Sequence, residues 1–391
     1  MKKILISDNI YYLGTNDRKK TLFENNWPLP YGVSYNSYLI KDDINVLIDT
    51  LEFGSKDNYL QEIEEILNGE KLHYIVVNHM EPDHSSMIGL MAKKYPDLKI
   101  ICNSKAFKML YGYFGLGSES IHEVKDGDIL SLGNHELKFI MAPWVHWPET
   151  MMTFETKTAS LFSCDAFGSF GTLDGGIFDD EINFMFYEDE MRRYYSNIVG
   201  KYSHMVQKAF TKLTNLKINT ICPSHGPIWR SRPEKAIELY DKWSRHESDN
   251  GVVIAYASMY GNTEKMADYA ARLIAEKGVK EIRIYDVSKT HASFILNDIW
   301  KYRAVILGSC AYNAVMHPMM QHLCNELEIL NPKNKNYALF GSYSWSGGGV
   351  KTLASFAEKM EWTQVAPSVE VMCSPSLENM EGFIKIAEAI L

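Results

Sequence analysis

A run of metal-binding side chains follows a short apolar segment and constrains the fold more than any other part of the sequence. Residues 74–77 read as a strand, and residues 79–84 then read His-Met-Glu-Pro-Asp-His. A loop at the end of a buried strand can hold several ligands toward one point. Imidazole and carboxylate together suit a borderline metal, and carboxylates favour iron or manganese more than thiolates would. Taken alone, the run is also compatible with solvated or capping side chains.

The spacing of this run resembles the metal loop of the metallo-β-lactamase fold. Hydrolases of that fold usually carry histidine at the position that Glu81 holds here, so the resemblance points to the branch with two irons, the flavodiiron proteins. The remaining iron ligands of that family lie far downstream, each after a strand-like run, and this chain supplies all three in order. They are His146 after residues 137–142, Asp165 after 159–164 and His225 after 220–224.

The resemblance implies that three side chains bind one iron, that two bind the other, and that one carboxylate bridges both. Carboxylates can bridge and neutralise two cations while each iron keeps an open position for a small molecule. The family leaves the role of His84 open, since the residue at this place either ligates the second iron or leaves room for water. In that order, the implied ligands are His79, Glu81 and His146; Asp83 and His225; and Asp165.

A second pattern begins after the polar run 246–251, which indicates a domain boundary. A short apolar strand over 252–256 leads into a turn at 258–263 and then into an amphipathic helix from about 264 to 277. Hydroxyls and free backbone amides at a helix N-terminus form a phosphate cradle. The turn resembles the phosphate loop of flavodoxins, which binds the monophosphate of FMN. A Gly-rich dinucleotide motif is absent from this turn.

Two further loops follow later apolar strands, and loops at the carboxyl ends of parallel strands converge on one ligand. Their aromatic side chains could stack on the isoalloxazine ring, with ordinary surface packing as the alternative for Tyr312, Tyr343 and Trp345. The predicted FMN-binding residues are Ser258, Met259, Tyr260, Gly261, Asn262 and Thr263 in the first loop; Ser309, Cys310, Ala311, Tyr312 and Asn313 in the second; and Ser342, Tyr343, Ser344, Trp345, Ser346 and Gly347 in the third.

The order of these patterns predicts two α/β domains, as expected for a chain of 391 residues. Residues 1–249 resemble the αββα sandwich of the metallo-β-lactamase fold. In residues 250–391 strands alternate with helices, as in a flavodoxin-like doubly wound parallel sheet.

The composition indicates the class of protein, its location and its possible partners. A hydrophobic fraction of 46% with 23% charged residues describes a soluble globular protein, and no apolar run reaches membrane-spanning length. The N-terminus turns polar too quickly for a signal peptide, so we expect a cytoplasmic protein. The net charge of −9 argues against nucleic acid as a partner. The six cysteines form no paired motif, so we expect reduced thiols and no fused rubredoxin.

The resemblance implies an oxidoreductase that reduces dioxygen to water and/or nitric oxide to nitrous oxide, and simple two-domain members favour dioxygen. Electrons would pass through FMN from a rubredoxin-like donor or a reduced deazaflavin. The family implies a head-to-tail homodimer or a homotetramer, in which Trp345 approaches the neighbouring iron site. By the same resemblance Tyr195 lines the oxidant pocket, with ordinary packing of its ring as the alternative. Two alternatives stand beside it: a zinc hydrolase fused to a flavodoxin domain, and an electron carrier whose first domain is only structural.

Overall fold

The chain divides into two compact units. A computed structural model describes residues 3–390. The first unit comprises the chain up to Tyr195 together with Tyr202–Asp241, and the second comprises Ser196–Lys201 together with the chain from Lys242 onward. The domain boundary predicted between residues 249 and 250 stays a prediction.

The first unit is built around two β-sheets, one of seven strands and one of five, with two short strand pairs beside them. In chain order its strands are β1 (Ile4–Ser7), β2 (Ile10–Tyr12), β3 (Thr15–Asp17), β4 (Leu22–Phe23), β5 (Trp27–Pro28), β6 (Val33–Tyr35), β7 (Tyr38–Ile40), β8 (Val46–Ile48), β9 (Tyr74–Val76), β10 (Lys99–Cys102), β11 (Ile121–Glu123), β12 (Ile129–Ser131), β13 (Glu136–Met141), β14 (Met151–Glu155), β15 (Ser160–Cys164) and β16 (Thr220–Pro223).

The two sheets pack face to face. The larger has the order β1-β2-β7-β8-β9-β10-β11 and the smaller the order β12-β13-β14-β15-β16, while β3 pairs with β6 and β4 with β5. Ile48 and Val76 of the larger sheet share a buried core with Phe139 and Phe162 of the smaller one. Strands β8 to β11 are parallel, and the fully buried β8 and nearly buried β9 read as short apolar runs because both of their faces are covered.

Among the helices up to residue 244, α4 has clear signals at both ends. Helix α4 starts after Asn103, whose side chain accepts hydrogen bonds from the amides of Lys105 and Ala106, and it ends at Gly115 in the left-handed region. A π-helical turn at Tyr195–Val199 follows α5. The helices are α1 (Tyr59–Leu67), α2 (Pro82–Ser85), α3 (Ile88–Lys94), α4 (Ser104–Phe114), α5 (Phe184–Tyr194), α6 (Ser203–Leu213) and α7 (Pro233–Ser244).

Strand ends position the predicted metal ligands. The run 79–84 follows β9, and Asp165 comes directly after β15. His225 comes two residues after the end of β16, and His146 lies in the connection between β13 and β14. Ligands that are distant in sequence are thereby delivered from the ends of both sheets.

The second unit is a doubly wound parallel sheet of order β18-β17-β19-β21, with β22 and β23 both parallel to β21 and the short β20 antiparallel to β19. Helices α8 and α12 share a core with the sheet, and α9 and α10 also pack against it. The fold class predicted for both halves is confirmed. The elements are β17 (Asp249–Ala257), α8 (Asn262–Glu276), β18 (Ile282–Asp286), α9 (Ala292–Lys301), β19 (Tyr302–Tyr312), β20 (Val315–Met316), α10 (Pro318–Leu330), β21 (Asn336–Tyr343), α11 (Gly349–Met360), β22 (Thr363–Gln364), β23 (Val369–Met372) and α12 (Gly382–Ala389).

A short segment from the middle of the chain completes this unit. Within Ser196–Lys201, Asn197 Nδ2 donates to the backbone carbonyl of Ser293 at 3.2 Å. Gly200 lies so close to the Trp300 ring that a Cβ atom there would come within 2.7 Å of it. The indole of Trp300 is therefore covered by a segment far from it in sequence.

A buried lysine ties the amino-terminal ends of three strands in the second unit. Lys335 Nζ donates to Ser248 Oγ at 2.6 Å, to the Tyr302 carbonyl at 2.8 Å and to the Trp300 carbonyl at 3.3 Å. Ser248 precedes β17, Tyr302 begins β19 and Lys335 precedes β21. Burial lowers the pKa of Lys335 from 10.5 to about 7.

We expect Lys335 to make the stability of the second unit rise with pH. Between about pH 7 and about pH 10 the unfolded chain holds a proton that the folded chain does not, so the free energy of unfolding increases with pH. Lys335→Met removes this contribution. Urea unfolding of both proteins at pH 7, 8 and 9 measures the difference in slope, and equal slopes would contradict the lowered pKa.

Candidate functional site

All seven predicted metal ligands of the first unit come together as buried side chains. Each offers an atom that lies within 4.8 Å of the ligand atoms of its group. The first group is His79, Glu81, His146 and Asp165; the second is Asp83, His84 and His225. His84 and Asp165 also lie near the Cys164 thiol, whose pKa burial raises well above its usual range, so that this thiol stays protonated.

The carboxylate of Asp165 lies between the two groups. Its Oδ2 is 3.3 Å from Nε2 of His79 and 3.3 Å from Nε2 of His146. Its Oδ1 is 2.8 Å from Nε2 of His84 and 3.5 Å from Nε2 of His225. One oxygen therefore faces each group, which is the arrangement that a carboxylate bridging two cations requires.

Two imidazoles are oriented by partners behind them. Nδ1 of His79 is 2.8 Å from Oε1 of Glu149, and Nδ1 of His225 is 2.7 Å from the backbone carbonyl of Ser34. Because each acceptor forms a hydrogen bond with the N–H at Nδ1, the lone pair of Nε2 in each ring is free to bind a metal. In both rings Nε2 is the atom that faces Asp165.

Several atoms of the site are buried without a hydrogen-bond partner among the residues that the structure describes. They are both carboxylate oxygens of Asp83, Oδ2 of Asp165 and Nε2 of His225. Asp83 Oδ2 approaches His225 Nε2 to 3.2 Å without hydrogen-bond geometry. An unpaired buried polar group costs about 1–3 kcal/mol. Cations between the two groups would give these lone pairs their partners, so the donor set fits a pair of metal ions.

The pKa values of the side chains in the site reveal an excess of negative charge. Burial lowers the pKa of His84, but the charges of Asp83 and Asp165 outweigh it and raise that pKa to about 10. Burial opposes ionisation of Glu81, yet hydrogen bonds from His146 and His79 hold its pKa below the usual range. The carboxylates thus demand positive charge, which metal ions supply when they displace these protons.

Aromatic rings cover the second group. The rings of Phe23, Tyr35 and Tyr194 each lie with their centroids 5.5 Å from that of His225. Phe23 comes from the hairpin of β4 and β5, Tyr35 ends β6, and Tyr194 ends α5. This aromatic cover shields the His225 ring from water.

The structure brings Tyr194 to the metal groups, whereas sequence reasoning chose its neighbour Tyr195. The Tyr195 hydroxyl is 2.8 Å from Ser203 Oγ, and its ring packs on Tyr240. Tyr194 is fully buried, and its hydroxyl has no hydrogen-bond partner among residues 3–390. Burial and then the charge of Asp165 raise the pKa of Tyr194 well above its usual range, so its hydroxyl stays protonated.

A cavity of about 490 Å³ lies at the carboxyl ends of the strands in the second unit. All three predicted FMN loops contribute to its wall, and most of the predicted residues line it. Those are Ser258, Met259, Tyr260, Asn262, Thr263, Cys310, Ala311, Tyr312, Asn313, Ser342, Tyr343, Ser344, Trp345 and Ser346. The volume is in the range of cofactor pockets.

Three predicted FMN residues, Gly261, Ser309 and Gly347, are not part of this wall. The amide of Gly261 donates to Ser258 Oγ at 3.0 Å, and Ser309 Oγ accepts from the amide of His317 at 2.9 Å. Both residues therefore stabilise the conformation of their loops without lining the cavity.

Sequence reasoning missed Ala314 and Cys373, which do line the cavity. Cys373 directly follows β23, so an apolar strand before it was the available signal. The second and third loops approach closely at Gly348, where a Cβ atom would lie 2.1 Å from the Ala314 carbonyl. Its φ of +127° also requires glycine.

Comparisons with known proteins match both units. The family model for ODP family beta lactamases matches residues 33–226, and the flavodoxin model matches residues 254–383. The chain is 34% identical to the anaerobic nitric oxide reductase flavorubredoxin of Escherichia coli K12, over 90% of this chain and 74% of that protein.

Comparison with solved structures gives the same family as the sequence comparisons. The rubredoxin oxygen:oxidoreductase from Desulfovibrio gigas superposes with a TM-score of 0.95 at 30% identity, over 100% of this chain and 98% of that one. A flavo di-iron protein variant from Thermotoga maritima superposes with a TM-score of 0.90 at 28% identity, over 99% and 96%. The predicted oxidoreductase class and the predicted cofactors, two non-haem irons and FMN, are thereby confirmed, and the chain belongs to the family of flavodiiron proteins.

Proposed function

We propose that this protein reduces dioxygen to water and/or nitric oxide to nitrous oxide at its diiron site. Dioxygen takes up four electrons and four protons to give two waters. Two nitric oxide molecules take up two electrons and two protons to give nitrous oxide and one water. The observation that carries the proposal is the Asp165 carboxylate between two buried donor groups, which would hold two metal ions within reach of one small molecule.

The ligand assignment follows the two groups. We propose that three side chains hold the first iron and three hold the second, with Asp165 shared. For His84, ligation of the second iron is supported by its Nε2, which lies 2.8 Å from Asp165 and 3.3 Å from Asp83. The assigned side chains are His79, Glu81 and His146 for the first iron, and Asp83, His84 and His225 for the second.

When bound, the iron pair and FMN supply the electrons, and the protein's own side chains hold the substrate and exclude water. We propose that the Tyr194 hydroxyl donates a hydrogen bond to an oxygen atom of the substrate. Its burial and its unused hydrogen support this role. The rings of Phe23 and Tyr35 beside His225 keep the space apolar.

The second unit offers separate sites for the two ends of FMN. The turn 258–263 lies at the N-terminus of α8, where free backbone amides and the Thr263 hydroxyl suit a phosphate. Thr263 Oγ1 is 2.9 Å from Ser342 Oγ, which joins the first and third loops. Tyr312, Tyr343 and Trp345 line the same cavity and suit the flat isoalloxazine ring.

Large aromatic side chains stand exposed at the cavity. Tyr260 is 92% exposed and Trp345 is 86% exposed. Exposed apolar groups of this size mark interaction surfaces, which supports a second copy of the chain at this face, in a head-to-tail homodimer or a homotetramer. We propose that Trp345 approaches the partner's irons there.

We propose a rubredoxin-like electron donor or a reduced deazaflavin, and a cytoplasmic location. Two similar proteins carry rubredoxin in their names, a flavorubredoxin and a rubredoxin oxygen:oxidoreductase. Within residues 3–390, no helix combines the length and the apolar content needed to cross a membrane.

Rapid mixing of the anaerobically reduced protein with each oxidant tests the proposed reactions. We expect flavin reoxidation with water, and no peroxide, from dioxygen, or with nitrous oxide from nitric oxide. The faster reaction identifies the preferred oxidant. Reduced protein that reacts with neither, or that contains two zinc ions and hydrolyses esters, would refute the proposal.

Substitution of ligands separates the two irons. We expect His225→Ala to lose the second iron and keep the first, and Asp165→Ala to weaken binding of both because the shared carboxylate is gone. Iron content per chain after gel filtration measures each loss. His135→Ala is the matched control, since His135 is also a buried histidine but pairs with Glu155. Equal iron loss in all three variants would contradict the assignment.

Tyr194→Phe tests the hydrogen bond to the substrate. Loss of a hydrogen bond to a charged group lowers turnover by about tenfold to a hundredfold. Tyr195→Phe removes the same atom one residue away and is expected to change turnover less, because that hydroxyl is bound to Ser203. Turnover of reduced protein at saturating oxidant compares the two. A larger effect at Tyr195 would restore the role predicted from the sequence.

A further inference from the structure

One histidine of the first group has a buried carboxylate behind it. Glu149 is 1% exposed, and its Oε1 accepts from Nδ1 of His79 at 2.8 Å and from the amide of Met80 at 3.0 Å. The Glu149 carbonyl accepts from Asn103 Nδ2 at 2.5 Å, and Asn103 is the residue that caps α4. Glu149 is therefore fixed from both its side chain and its backbone.

The second group has no equivalent of this pairing in the contacts that the structure gives for His225. Its Nδ1 is bound to the neutral carbonyl of Ser34. A carboxylate behind an imidazole raises the basicity of the ring, whereas a carbonyl mainly orients it. His79 and His225 thus differ in the charge of the group that accepts the hydrogen bond from Nδ1.

A second buried acid, Asp49, acts on His84 and on His79 through its charge, whereas its hydrogen bonds go to Asn78. Its Oδ1 accepts from the amide of Asn78 at 2.7 Å, and its Oδ2 accepts from Asn78 Nδ2 at 2.9 Å. Both oxygens are thus committed to an amide side chain and backbone that precede His79. Glu149, by contrast, keeps Oε2 without a hydrogen-bond partner among the described residues. Its charge is directed at the ring of His79.

We propose that Glu149 is a positioning residue that makes the two irons inequivalent. It fixes the ring of His79 and favours the ferric state of the iron held by the first group, so the iron held by the second group is reduced first. The inference rests on the ligand assignment proposed above. It concerns the potentials of the two irons and is independent of which oxidant the protein reduces.

Redox titration of the full chain, loaded with ⁵⁷Fe and FMN and followed by Mössbauer and EPR spectroscopy, tests this inference. In the wild type we expect two separated one-electron steps for iron. Glu149→Gln retains an acceptor for His79 but removes the charge. It is expected to change the ferric to ferrous ratio of one iron about tenfold, which is about 59 mV for a one-electron couple, and to bring the two steps closer together.

Glu155→Gln is the matched control. Glu155 and Glu149 flank opposite ends of β14, and Glu155 also pairs with a buried histidine, with its Oε1 3.0 Å from Nδ1 of His135. The control is expected to leave both iron potentials unchanged. Potentials in Glu149→Gln equal to those of the wild type, or equal shifts in both variants, would overturn the inference.

If Glu149→Gln does not retain two irons, the iron affinity of the variants is measured instead of the potentials. Glu149→Asp keeps the charge and is expected to bind iron at least about tenfold more tightly than Glu149→Gln, as is usual for partners behind metal ligands. Equal affinities of the two variants would overturn the role of the charge. Failure of the wild type to reduce either oxidant would refute the proposed function while leaving these comparisons intact.

Discussion

The first unit depends on the compensation of charge around Asp165. This carboxylate is fully buried and lies within 3.5 Å of Nε2 of four histidines. Bringing so many ionisable groups out of water is costly unless opposite charges and ligand bonds replace the lost hydration. The groups stabilise one another through shared protons and present their lone pairs to common points. The same energetic demand that burial creates is what makes the site bind metal.

Both units bring residues that are distant in sequence to one site, but they do so with different geometry. In the first, the ends of strands from two facing sheets deliver ligands from positions as distant as His79 and His225. In the second, parallel strands of one sheet deliver three loops and Cys373 to a single cavity. Rigid strands fix where each loop begins, so the loops can carry polar and strained residues without loss of precision. Gly348 illustrates this, since its conformation permits the close approach of two loops.

The sequence predicted the fold class of both units, the seven side chains that cluster in the first unit and most of the residues that line the cavity of the second, because strand ends, a metal-binding run and a phosphate loop leave local patterns. It could not separate Tyr194 from Tyr195, since Tyr194 ends α5, Tyr195 begins the π-helical turn, and the orientation of each depends on how these two elements pack. It also gave no signal for the pairing of Glu149 with His79, which joins residues 70 positions apart. Contacts of this kind depend on tertiary packing, which local periodicity does not encode.

The contact of Gly200 with Trp300 decides which part of the sequence a gene for the second unit alone would have to encode. A gene fragment that encodes only residues 242–391 would contain every strand of the flavodoxin-like sheet and the whole flavin cavity, yet it would lack the segment that covers Trp300. Such a fragment would leave the part of the indole that Gly200 contacts uncovered, so the second unit is not one contiguous stretch of the sequence.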